Sequence, residues 1–144
     1  MSAPAGTAAS SWLQSPALRW LLLVLLLAAY LQGGIVKLFD FPGAVDEMRH
    51  FGLEPAAPLA AAVIALELGA SALVLGGRLR WLGALALAAF TVGASLLANR
   101  FWAAPPAERF TLENSFCEHL GLAGGLLLVA WLDWRELNHA RMPR

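Results

Sequence analysis

The stretch AAVIALELGASALVLGG, residues 61–77, carries a single acid, Glu67, in an otherwise apolar run. An ionised side chain at the centre of a bilayer costs at least about 2.5–3.5 kcal/mol, so such a group needs a cation, a proton or a task. Lys37 ends the preceding apolar run, and its stem is long enough to reach toward Glu67, with Gln32 a turn and a half deeper. Asn99, Arg100 and Trp102 follow the third apolar run, and Glu118 and His119 open the fourth. Together Lys37, Glu67, Asn99, Arg100, Trp102, Glu118 and His119 make a candidate polar pocket. Its chemistry would be proton exchange, or recognition of the polar head of an otherwise apolar molecule.

Each residue also has a plainer reading. Glu67 can stay neutral and hydrogen-bond between helices, Arg100 can snorkel to lipid phosphates, and Trp102 can anchor at the interface. His119 can be a hydrogen-bonded structural histidine. The other histidines, His50 and His139, offer it no partner at helical spacing, so no metal or haem site is expected. Cys117 is the only cysteine, which excludes an internal disulfide and a CxxC redox pair. The sequence has no P-loop, dinucleotide fingerprint or nucleophile elbow, and it identifies no catalytic residue.

The elements that must position these groups follow from composition. Of 144 residues, 59% are hydrophobic and 14% charged, against about 25% charged in soluble domains. Net charge is zero, which argues against a nucleic-acid partner. A membrane helix needs about 20 apolar residues. Four such stretches are expected, at about 18–36, 56–77, 81–98 and 114–134, giving an all-α, four-helix transmembrane bundle with membrane lipid as its first partner. Residues 1–17 read as a disordered tail and 135–144 as a cytoplasmic tail. The first run is too long for a signal-peptide core and is closed by no A-x-A site.

Arg78 and Arg80 share a very short loop, and six basic residues against four favour that side as cytoplasmic, so both termini are expected inside. Trp20, Trp81, Trp131 and Trp134 would belt the inner interface, with Trp102 opposite. The first outer segment places Val45, Met48 and Phe51 on one face after a cap at Asp40, predicting a short interfacial helix over 39–52. In the second, Pro105 and Pro106 predict a non-helical link. Small residues at four-residue spacing suggest close helix packing: Ala61, Ala65 and Gly69, Ala89 and Gly93, Gly121 and Gly125. The same positions would also suit a homo-oligomer interface.

The segments GGIVKLFDFPG, ELGASALVLGGRLR, NRFWAAPP and FCEHLGLAGGLLLVA occur in an order that resembles the DoxX family of small, mostly bacterial four-helix membrane proteins. The likeness covers about residues 18–132, with Lys37, Gly43, Glu67, Gly77, Phe101, Trp102, Gly124 and Gly125 at recurring family positions. Relatives often carry histidine before the aromatic pair, where this chain has Asn99 and Arg100. Many carry lysine-asparagine where this one has Glu118 and His119, so no role for that lysine transfers. The resemblance implies a bacterial cytoplasmic (inner) membrane location and association with quinone-linked oxidoreductases or redox homeostasis. Quinone is then the candidate cofactor and a redox protein the candidate partner. The competing expectation is a non-catalytic scaffold, assembly factor or small-molecule binder.

Overall fold

The computed structural model describes residues 15–141, and every regular element among them is helical. Helix α1 spans Pro16–Phe39, α2 Phe41–His50, α3 Ala56–Gly76, α4 Arg80–Ala98 and α5 Pro106–Arg141, with a 3-10 turn at Phe101–Ala103. Of the expected N-terminal tail, residues 1–14 lie outside the described residues. Helices α1, α3, α4 and α5 are long and apolar enough to cross a membrane, so the chain is a multi-pass membrane protein.

Local sequence explains the boundaries. Pro16 opens α1, where its missing N–H would have had no helical partner anyway. Asp40 ends α1 and caps α2, its Oδ1 accepting the Gly43 N–H at 3.1 Å. Helix α3 closes on Gly77, whose φ of 82° is cheap only for glycine. Helix α5 differs most from expectation. It begins at Pro106, eight residues before the expected start, and runs on through Arg141. The proline pair was expected to exclude helix, but a proline in the first turn removes no hydrogen bond. At 1.5 Å per residue α5 is about 54 Å long, well beyond a hydrocarbon core of about 30 Å. Its first turns therefore project: Pro106 to Asn114 are exposed apart from the half-buried Leu112.

Packing runs in chain order, α1 on α3, α3 on α4 and α4 on α5. Leu27, Tyr30, Val74, Leu87 and Leu126 centre the core, while Ala44, Val45 and Met48 of α2 pack on Ala56 and Ala60. Of the four-residue stripes only Gly125 makes a close contact, with Leu26. Ala61, Ala65 and Gly69 are exposed, and a Cβ on Gly69, Gly93 or Gly121 would meet nothing within 4 Å. At Gly83, by contrast, a Cβ would sit 2.5 Å from the Ala70 carbonyl oxygen, so α3 and α4 touch backbone to backbone. Small residues are so dense in these segments that spacing alone does not pick the buried face.

At the end where Ser15 and Arg141 lie, a buried polar knot ties α3, α4 and α5. Asp133 accepts from Arg80 Nη1 at 3.3 Å and from the Trp81 backbone N–H at 3.1 Å. Arg80 Nε also donates to the Val74 carbonyl at 3.0 Å. One carboxylate thus neutralises a partly buried guanidinium and satisfies an orphan amide at the start of α4. From sequence Arg80 reads as a topology signal, and nothing along the chain marks Asp133 as its partner.

Candidate functional site

Helices α1 and α5 meet near the terminal end, where Leu26 would contact any Cβ on Gly125 at 3.2 Å and Arg19 lies 3.5 Å from Glu136. Toward α2 a cleft of about 590 Å³ separates α1 from α4 and α5. Ala29, Gln32 and Gly93 line it while remaining exposed, so it opens sideways at membrane depth as well as toward α2.

Glu67 lies in this cleft, buried on the inward face of α3 at 5% exposure. Lys37, in the last turn of α1, places Nζ 3.3 Å from Glu67 Oε1 and 3.4 Å from Oε2. The same Nζ lies 3.9 Å from Glu47 on α2, so one cation bridges acids from two helices. Gly33 lies against the pair: a Cβ there would stand 3.6 Å from both Glu67 oxygens and from Lys37 Nζ, an ordinary van der Waals contact.

Below the pair, the Tyr30 hydroxyl hydrogen-bonds Thr91 Oγ1. Thr91 donates its own proton to the Leu87 carbonyl at 2.7 Å, which leaves Tyr30 as donor to Thr91. Across the cleft, buried Asn99 donates from Nδ2 to Ser95 Oγ at 3.2 Å. His119 Nδ1–H donates to the Ser115 carbonyl at 2.6 Å, and among the described residues Nε2 has no partner. Phe90, Leu97 and Leu122 supply apolar walls. The result is a mainly apolar cleft with an ion pair at one side and amide and imidazole at the other.

The structure therefore brings Lys37, Glu67, Asn99 and His119 of the candidate pocket to one cleft. It does not bring Arg100, Trp102 or Glu118 there. Arg100 and Glu118 are exposed, and Glu118 points away because adjacent helical residues differ by about 100° in direction. Trp102 is 52% exposed and packs edge-on against Phe101 and Phe116. Tyr30, Glu47, Thr91 and Ser95 join the site without being among the residues expected there. A signal was present for three of them. Thr91, Ser95 and Asn99 recur every four residues along α4, and Tyr30, the only tyrosine, lies two turns before Lys37 on the same face.

Among the described residues no group of three or more His, Cys, Asp or Glu side chains could hold a metal ion. In comparisons with known proteins, no curated protein and no solved structure matched the chain. The sequence profile of the DoxX family matches residues 17–100, which covers α1 to α4 with Lys37, Glu67 and Asn99 and stops short of His119. More than half of the chain lies within that match, and the chain belongs to the DoxX family.

Proposed function

We propose that the cleft receives the polar head of a quinone, and that the protein serves as a membrane subunit or partner of a quinone-linked oxidoreductase in the bacterial cytoplasmic membrane. The observation that carries this reading is the Lys37–Glu67 ion pair, held inside an apolar cleft that opens sideways between helices. A quinone head needs donors for its carbonyl oxygens and an apolar slot for its ring and tail. Donors present are the Lys37 ammonium and the Asn99 amide, with His119 Nε2 able to take or hold a proton. When bound, quinone would supply two-electron, two-proton redox chemistry, with electrons from a partner redox protein. Glu67 and Lys37 orient the head and hold a proton near it, while Phe90, Leu97 and Leu122 exclude water.

The protein extracted in mild detergent should retain quinone detectable by its ultraviolet absorbance and mass, and a Lys37→Met, Asn99→Leu double variant should retain at least tenfold less. Equal retention by a folded double variant would remove the reading.

We further propose that both termini face the cytoplasm, with the cleft near the outer surface. Arg78 and Arg80 beside the short α3–α4 connection support this orientation. A reporter active only in the periplasm, fused after Arg144, should stay silent, and activity there would reverse the orientation.

A non-catalytic scaffold is the competing reading, and the projecting first turns of α5 favour it. Phe110 stands there at 73% exposure, a surface suited to a protein partner. Absence of quinone together with specific capture of a membrane oxidoreductase would support the scaffold instead.

A further inference from the structure

At the end of the bundle opposite the cleft, a groove of about 640 Å³ runs between the first turns of α1 and the last turns of α5. Arg19, Arg80 and Glu136 stand at its mouth, and Leu22, Val129 and Leu132 line it a turn or two deeper. We infer that this groove binds one anionic glycerophospholipid, its phosphate between Arg19 and Arg80 and an acyl chain along the leucines.

Arg80 is a fixed donor. Val74 and Asp133 hold its guanidinium through two of its five N–H groups, leaving others for a ligand. Arg19 is a movable one, because its 3.5 Å contact with Glu136 joins two side chains more than half exposed, and such pairs are worth little. A phosphate can take the guanidinium over in a bidentate pair. Charge at this end also selects an anion. Arg19, Arg78, Arg80 and Arg135 face only Asp133 and Glu136 among the described residues. A choline head group would add a further cation to that excess, whereas a glycerol head group adds none. The apolar walls separate a lipid from free phosphate, which has nothing to place along Leu22 and Leu132. Basic pockets between membrane helices recur as sites for anionic head groups.

The test is native mass spectrometry of the full chain in detergent, titrated separately with phosphatidylglycerol, phosphatidylcholine and inorganic phosphate. Expected is one tightly held phosphatidylglycerol, with phosphatidylcholine bound more weakly. Arg19→Gln should weaken phosphatidylglycerol about fivefold, the factor for one basic residue at an anionic lipid surface. Arg78→Gln, exposed and outside the groove, removes only part of the surrounding charge and should weaken it by less than about twofold. Equal loss in both variants would mean diffuse surface charge and overturn the site. Equal binding of the two lipids, or displacement of phosphatidylglycerol by millimolar phosphate, would overturn the choice of ligand.

Discussion

Asp133→Ala should lower the unfolding free energy of the detergent-solubilised protein by about 3–5 kcal/mol, the range for removing one partner of a buried ion pair. The Arg80 side chain is only 14% exposed and would keep its charge with no carboxylate beside it, and the Trp81 amide would lose its acceptor. Asp133→Asn separates the two contributions. It keeps an oxygen for the Trp81 N–H but removes the charge facing Arg80, so it should fall between wild type and alanine. Thermal or denaturant unfolding followed by circular dichroism measures the difference. An alanine variant as stable as wild type would show that α3, α4 and α5 are held by apolar contact alone.

Glu67→Leu and Glu67→Gln should have the largest functional effects, and they separate the two possible roles of the acid. Leucine leaves Lys37 in the cleft with Glu47 as its only carboxylate, at 3.9 Å, so the variant should be less stable by a few kcal/mol. Glutamine keeps the size and a hydrogen-bond acceptor for Lys37 but can neither give nor take a proton. If Glu67 exchanges protons, both variants insert and fold, yet both fail to support growth of cells that depend on the protein. If glutamine supports growth as wild type does and leucine is merely unstable, the acid is an interhelical tie and nothing more.

Much of the architecture was legible because a bilayer imposes a length and a polarity on whatever crosses it. The uncharged runs after Arg19, Glu54 and Arg80 located three helices to within about three residues. The inward orientation of Glu67 was legible for the same reason, since a carboxylate facing hydrocarbon has no stable alternative; Lys37 and His119 were equally open as its partner, and the structure pairs it with Lys37. Chain order told less about what lies side by side. Asp133 reaches Arg80 across 53 positions, and only the packing of α5 on α4 makes them neighbours. Glu118 looked like a site residue from position along the span, but direction around the helix turns it from the cleft, and that is set by which face finds a partner; Arg100, in the non-helical turn after α4, is exposed and does not line it. The early start of α5 was obscured by reading Pro106 as a breaker when its place in the first turn made it compatible with helix.

The sideways mouth of the cleft, framed by Ala29, Gln32 and Gly93, has a consequence for how any occupant must be titrated. A lipid-soluble molecule that reaches it arrives from the surrounding bilayer, so occupancy follows mole fraction in the lipid phase and not molarity in the buffer. Adding empty vesicles to a reconstituted sample, with protein and ligand totals unchanged, would dilute the ligand in two dimensions and empty the cleft. Tails differing in length would then change apparent affinity in buffer through partitioning while leaving the mole-fraction constant nearly the same.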